Sequence, residues 1–450
     1  MVDSATLNLG LTQVSALIRD RVTSAQEITQ LALNRVAQSD GKLHAFITVD
    51  AHGALDAARR ADEEIEAGLW RGPLHGVPIA VKDNIPTAGL RTTYNSRAYQ
   101  DAVPEHDAIA VTRLREAGAV VLGKTNLNEF GWSIPSEADL TPPPLNPWNT
   151  AYRAVGSSSG SGVAVSSGQV FAALGTDGGG STRLPAGQMG LVGLKPTRGS
   201  VPGYGGLIDE VSVVGVLARN AADAAAVYSA LAQQPAPPPQ QPSGARMAIP
   251  RRVVDEMDIE DDIAAAFADD LKTLTELGIE LVDVELPHFR HARDANFVLI
   301  KALAHTDHVD DLQGRADLIG ESTRHYLMQG ASISASDYLR ARSMASLFAA
   351  EMDDELGDCI GLVTPVTTVV TAEAARRPGE HERGSNATFT APFNLTGWPA
   401  IAIPSHIGTL GIPIGLQIVA RPGGDWTLLD LAAAMGEATG LQDLVPTTER

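Results

Sequence analysis

The sequence predicts a single large α/β domain over residues 1–450, built on a mixed, mostly parallel sheet with helices covering both faces. Three observations lead there. The chain has 450 residues, 44% of them hydrophobic, enough to bury a large core. Several short apolar runs end abruptly in polar residues, as at 79–81, which is how buried strands read. Strand and helix patterns also alternate, most clearly at 246–249, 259–277 and 279–284, an order that favours parallel pairing through helical crossovers.

The elements follow in order. Ser24 and Glu27 form an S-x-x-E capping box, and Ile28, Leu31, Ala32, Arg35 and Val36 continue at helical spacing. A second helix runs near 54–67 and stops at Gly68. A strand at 79–81 ends in Lys82-Asp83-Asn84. Residues 108–117 read as helix and 119–122 as strand, and the proline-bearing stretch 133–150 reads as loop. A buried strand at 170–174 and a helix at 221–231 follow. The proline-rich run 235–242 is an extended surface linker. Ile263, Phe267, Leu271 and Leu274 pattern the helix at 259–277. Residues 288–355 are mainly helical, and 361–437 return to strands and a final helix.

Charge narrows the partners. With 34 basic against 54 acidic residues the formal charge is −20, which argues against nucleic acid and against an anionic membrane surface. The single Cys359 forms no internal disulfide, in keeping with a reducing cytoplasm, and reads as a buried apolar residue. The first residues lack the basic and apolar segments of a signal peptide, and no apolar run reaches the ~18 residues of a transmembrane helix. A cytoplasmic protein with no nucleic acid or membrane partner is therefore expected.

Two motifs in the chain are misleading. Gly118 to Thr125 fits the phosphate-loop pattern G-x-x-x-x-G-K-[ST]. The Ala-Val-Val-Leu between its glycines is itself a strand, however, and strand N–H groups join the sheet instead of cradling phosphate. Gly156-Ser157-Ser158-Ser159-Gly160 fits the nucleophile elbow G-x-S-x-G, but no strand leads into it and no later His has a distinctive context. His305 and His308, with Asp310 and Asp311, and His288 with His291, offer metal-ligand types at helical spacing; a solvated helix face is the preferred reading.

A third constellation carries chemistry. It joins Lys82, the serines 157–161, and Gly175-Thr176-Asp177-Gly178-Gly179-Gly180-Ser181-Thr182-Arg183. A serine hydroxyl needs a base, and no His lies near Ser181. A lysine serves when burial makes neutral amine available, and Lys82 ends an apolar strand; its alternative is an ion pair with Asp83 or another carboxylate. Three glycines before Ser181 allow consecutive backbone N–H groups to point at one oxyanion. Residues 156–206 hold 15 of the 43 glycines, roughly three times an even share, which places the unusual backbone in this one segment.

At these residues the chain resembles the amidase signature family. Gly76 to Asn84 resembles its lysine strand, and Val121 to Asn126 with Glu129-Phe130 its next block. Gly175 to Arg183 with Pro185-Ala186 resembles the nucleophile segment, followed by Gly193-Leu194-Lys195-Pro196-Thr197. Phe393 to Ala400 and Gly415 to Val419 match near the C-terminus. The resemblance spans about 10–437, with the core of the signature at about 70–230.

The resemblance implies a Ser-Ser-Lys triad with an unusual cis peptide at the bridging serine. Lys82 is then the base, Ser181 the nucleophile, and Ser157, 24 residues earlier, the bridge. The N–H groups of Gly178, Gly179, Gly180 and Ser181 would form the oxyanion hole, with Ser158, Asp177 and Arg183 in support. No cofactor or metal is implied. Val155 and Ser159 stand where the family carries glycines, and Gly178 where a larger apolar residue is usual, which bears on loop shape and substrate fit.

The leading expectation from the resemblance is a free-standing amidohydrolase, a monomer or homodimer with a small-molecule substrate, that releases an amine through an acyl-enzyme, acting on amides and also on carbamates (urethanes), anilides or activated esters. With no cationic clamp apparent beyond Arg183, neutral substrates are favoured. The alternative is the glutaminase subunit of a tRNA-dependent amidotransferase. That subunit typically carries Gln where this chain has Leu184. Specificity is expected in 130–155, 200–215 and 288–390.

Overall fold

The computed structural model describes residues 3–132, 136, 138–370, 387–443 and 445–446. Parts of the expected specificity segments, 133–135, 137 and 371–386, lie outside the described residues. Eleven strands form one sheet: β1 Phe46–Val49, β2 Pro78–Lys82, β3 Val120–Thr125, β4 Ala172–Asp177, β5 Val192–Lys195, β6 Val213–Ala218, β7 Arg246–Ile249, β8 Glu280–Asp283, β9 Gly361–Pro365, β10 Ala400–Ile407 and β11 Pro413–Val419. Their spatial order is β1-β3-β2-β4-β6-β5-β10-β11-β9-β7-β8.

The sheet is mixed, but parallel pairings are the minority. β2 runs parallel to β3 and β4, and β7 runs parallel to β8 and β9. The other six pairings are antiparallel. The strand–helix–strand units that suggested parallel order are real, and they lie to either side of an antiparallel centre built from β6, β5, β10 and β11.

Successive strand residues point to opposite faces, so a strand buried at every position is covered on both sides. β2, β3, β4, β5, β6, β9 and β11 are buried throughout, β10 emerges only at its end, and β1 and β8 are partly exposed. Helices supply that cover: Ala51–Glu66 against β3, Arg183–Gln188 against β10 and β11, and Asp425–Thr439 against β10.

Local rules account for most boundaries. The Ala25–Leu43 helix starts at Ser24, whose Oγ accepts from Glu27 N (3.0 Å) while Glu27 Oε2 accepts from Ser24 N (3.1 Å). β3 absorbs Val120 to Thr125 into the sheet, which excludes a phosphate loop at Gly118 to Thr125. Residues 235–241 of the proline-rich run are exposed, whereas Pro242 at its end is buried. Residues 288–355 hold the helices Phe289–Asp307, Val309–Gly314, Glu321–Gly330 and most of Ala335–Leu356. The Leu11–Arg19 helix and β1 were not anticipated. No helix among the described residues is long and apolar enough to cross a membrane.

The parallel pairing of β2 with β4 sets up the site. Ile79 faces Ala172 and Val81 faces Leu174, so Lys82 and the Thr176–Asp177 pair emerge at the same edge of the sheet.

Candidate active site

Lys82 is fully buried at the end of β2. Its Nζ lies 2.8 Å from Ser157 Oγ and 2.8 Å from Thr176 Oγ1. Asn84 Nδ2 donates to the same threonine oxygen (3.1 Å). The expected alternative, an ion pair with Asp83, is not formed: Asp83 Oδ1 stands 3.8 Å from Lys124 Nζ, and its Oδ2 accepts from Thr93 N and Oγ1. Adjacent strand residues face opposite ways, so Lys82 and Asp83 serve separate clusters. Burial pushes the Lys82 amine down to about 7, opposed only by the charge of Asp177. Near neutral pH a large share of this amine is free base.

Ser157 is buried, and the Gly156–Ser157 peptide is cis. Ser158 precedes the Ser159–Ser166 helix; its Oγ donates to Thr176 O (3.2 Å) and its N–H donates to Ser181 O (3.2 Å). That hydroxyl is therefore tied to the backbone, and no strand leads into it, which excludes the elbow reading. The backbone bond between Ser158 and Ser181 laces the loop carrying Ser157 to the Ser181 loop. Gly131 closes the pair from the other side with φ +85°; a Cβ there would lie 3.6 Å from Ser157 Oγ and 4.0 Å from Lys82 Nζ.

Asp177 and Arg183 form a fully buried pair under this loop. Asp177 accepts from Arg183 Nε (3.0 Å) and Nη2 (2.9 Å), from Gly180 N (2.7 Å), Thr182 N (3.2 Å) and Asn394 Nδ2 (3.0 Å). Burial alone would raise this carboxyl, but the Arg183 guanidinium outweighs it and holds it well below the usual carboxylate range. Arg183 also donates to Thr390 O (3.0 Å), Asn394 Oδ1 (2.6 Å) and Gln417 Oε1 (2.7 Å). Its fork is consumed inside the protein, so it is no substrate clamp.

The carbonyls of 178–181 are all held. Gly178 O accepts from Asn296 Nδ2 (2.9 Å), Gly179 O from Thr390 Oγ1 (2.6 Å), Gly180 O from Leu184 N (2.7 Å) and Ser181 O from Ser158 N. The N–H groups divide. Gly180 N–H donates to Asp177 Oδ1, so this glycine does not contribute the free donor expected of it. The N–H groups of Gly178, Gly179 and Ser181 donate to no atom among the described residues. The structure thus brings Lys82 and Ser157 into direct contact, joins Ser181 to them through backbone, and leaves three N–H groups beside Ser181 open to a ligand.

Several of these partners carried no expected role. Thr176 lay inside the nucleophile segment, and Asn394 and Gln417 lay inside matched blocks near the C-terminus, without a function attached. Asn296 and Thr390 have no local pattern that marks them. The histidines lie elsewhere: His308 Nδ1 pairs with Asp311 Oδ2 (2.9 Å) and its ring stacks on Phe130 at 4.2 Å, while His288 pairs with Glu351. Asp311 is further committed to Tyr99 and Arg315. Among the described residues no three His, Cys, Asp or Glu side chains are grouped to hold a metal ion. Cys359 is buried.

Known proteins resemble the whole chain. The family described as Amidase matches residues 27–429. One subunit of the glutamyl-tRNA(Gln) amidotransferase of Anaeromyxobacter sp. (strain K) is 34% identical, over 96% of each chain. A crystal structure of an amidase superposes with a TM-score of 0.88 at 29% identity, covering 96% of this chain and all of the other. The structure of the corresponding glutamyl-tRNA(Gln) amidotransferase subunit from Thermotoga maritima does so with a TM-score of 0.81 at 28% identity, covering all of both.

These relatives correct one expectation. A small-molecule partner alone, no nucleic acid, and a monomer or homodimer do not stand against full-length relatives named as one subunit of an enzyme of glutamyl-tRNA. Net charge reports general attraction to phosphate and does not by itself exclude such partners. With the match running through Lys82, the serine loops and the C-terminal blocks, the chain belongs to the amidase signature family, enzymes that cleave a carboxamide C–N bond.

Proposed function

We propose that this chain is the glutaminase subunit of a tRNA-dependent amidotransferase, cleaving the side-chain carboxamide of glutamine through an acyl-enzyme at Ser181. The observation that carries the reading is the 34% identity to the glutamyl-tRNA(Gln) amidotransferase subunit, maintained over 96% of both chains. The geometry supports a proton relay. Neutral Lys82 takes the Ser157 proton across the 2.8 Å contact as Ser157 takes that of Ser181. Ser181 Oγ bonds to the carbonyl carbon, and the oxyanion accepts from the open N–H groups beside it. The C–N bond then breaks, the relayed proton leaves with ammonia, and water releases glutamate from the ester.

A second reading has its own support: hydrolysis of another amide, or of a carbamate, anilide or activated ester. Leu184 stands where the amidotransferase glutaminase typically has Gln, and it is buried with its Cδ1 against Gly180. The amidase also superposes better than the Thermotoga maritima protein does. One experiment separates the readings. Ammonia release from glutamine is measured on the full chain, alone and co-expressed with partner subunits, beside a panel of anilides, carbamates and esters. Glutamine turnover that Ser181→Ala abolishes is the expected result. Turnover of the panel without glutamine moves the assignment to the second reading, and activity surviving Ser181→Ala overturns both.

A further inference from the structure

The three peptide planes of the 178–181 loop are not held alike. The Gly179–Gly180 plane is pinned at both ends: its carbonyl accepts from Thr390 Oγ1 and its N–H donates to Asp177 Oδ1. The two flanking planes are pinned at the carbonyl alone. Gly180 O accepts from Leu184 N, which leaves the Ser181 N–H open, and Gly178 O accepts from Asn296 Nδ2, which leaves the Gly179 N–H open. A trans peptide directs its C=O and N–H to opposite sides. A donor fixed on the carbonyl therefore aims the N–H away from itself.

We propose that Asn296 is a positioning residue for the oxyanion hole, its side-chain amide setting the Gly178–Gly179 plane so that the Gly179 N–H faces the reacting carbonyl. The inference rests on the acyl-enzyme reading above. Asn296 lies in the Phe289–Asp307 helix, far in sequence from the serine loops, and is fully buried. Nothing else among the described residues donates to Gly178 O. Glycines at 178 and 179 place no Cβ on this plane to limit its rotation, so the brace must come from outside the loop. A Cβ at Gly179 would lie 3.9 Å from both Asn296 Nδ2 and Ile300 Cδ1, so the helix stands directly against the loop.

The other half of the amide strengthens the point. Asn296 Oδ1 is buried with no hydrogen-bond partner among the described residues. An unpaired buried acceptor is costly, and a fold that only needed to fill this space would carry an apolar side chain. The orientation persists because Nδ2 is required at Gly178 O.

The test uses the purified full chain, any substrate it turns over, and a fluorophosphonate probe for Ser181. Asn296→Leu keeps the volume and removes the donor. Asn296→Asp turns the donor into an acceptor while ionised and restores a donor when protonated. For Asn296→Leu, kcat is expected to fall about 10- to 30-fold with KM within about twofold. That is a fraction of the roughly 100- to 1,000-fold that loss of a whole oxyanion donor costs. Labelling of Ser181 should slow in parallel. For Asn296→Asp, activity relative to the parent should rise as pH falls, because a protonated carboxyl can again donate to Gly178 O.

A folded Asn296→Leu with kcat within twofold of the parent overturns the proposal. If that variant does not fold, a pH-independent Asn296→Asp to parent ratio overturns it instead. Survival of activity in Ser181→Ala would remove the underlying reading as well, whereas loss in Ser181→Ala with no effect at Asn296 removes this inference alone.

Discussion

Lys82 and Lys124 sit on the neighbouring parallel strands β2 and β3, and neither is exposed to solvent. Burial lowers both amines, to about 7 and about 8. Their partners differ in kind. Lys124 faces the Asp83 carboxylate at 3.8 Å and donates to the Ile85 carbonyl (2.6 Å) and to Thr92 Oγ1 (2.7 Å). Two of those three groups only accept hydrogen bonds, and the Asp83 charge favours the protonated amine. Lys82 faces two hydroxyls and no carboxylate. A hydroxyl can give a proton as well as receive one. On the proposed relay, burial alone does not make a base; burial among groups that can surrender a proton does.

The largest break in this comparison comes from Lys82→Met. It should lower kcat/KM about 10,000-fold, at the upper end for removal of a general base, while the fold is retained. Ammonia release or ester turnover with a parallel thermal melt checks both halves. The pH profile sharpens it next. Protonated Lys82 cannot accept a proton, so kcat/KM should fall about tenfold per unit as pH drops below about 7 and level off above it. A profile flat from pH 6 to 9 would remove Lys82 as the base.

Thr176→Val tests the orientation of the amine and should have a smaller effect. Losing the acceptor opposite Ser157 frees Lys82 to turn, so kcat should drop about tenfold with little change in KM. Because that acceptor favours the charged amine, its loss also moves the acid limb to lower pH. Lys124→Met should change kcat least, by less than about threefold. It leaves Asp83 buried without its cation, however, and stability should fall by about 3 to 5 kcal/mol, read by denaturant melts. A large kcat loss at Lys124 with normal stability would erase the distinction between the two lysines.

The contrast also shows which parts of the site were legible in the sequence. Lys82, the serine cluster 157–161 and the 175–183 segment stand in compact blocks that the sequence singles out, whereas the choice of Ser157 within its cluster and the supporting roles of Asp177 and Arg183 come from the family resemblance. The long helices and buried strands announced themselves by periodicity, as with Ile263, Phe267, Leu271 and Leu274. Strand direction did not, because a run such as β5 or β6 pairs either way until its connections are known. Nor did the choice of Gly180 over its neighbours as the donor to Asp177, which depends on the φ of +125° at that glycine. Asn296 and Thr390 reach the loop from segments whose local pattern reports only helix or turn. Their role exists only in three dimensions.

The buried Arg183 has a consequence for the life of the chain before folding is complete. Its anchors at Thr390, Asn394 and Gln417 lie 207, 211 and 234 residues downstream. During synthesis the serines and Lys82 emerge long before those anchors do. Until β10 and β11 close the centre of the sheet, the guanidinium has only its local partner Asp177, and its contacts with Thr390, Asn394 and Gln417 are missing. On the proposed reading, a chain cut short of Thr390 lacks three of the contacts that seat Arg183 beneath the Ser181 loop and is expected to show no turnover.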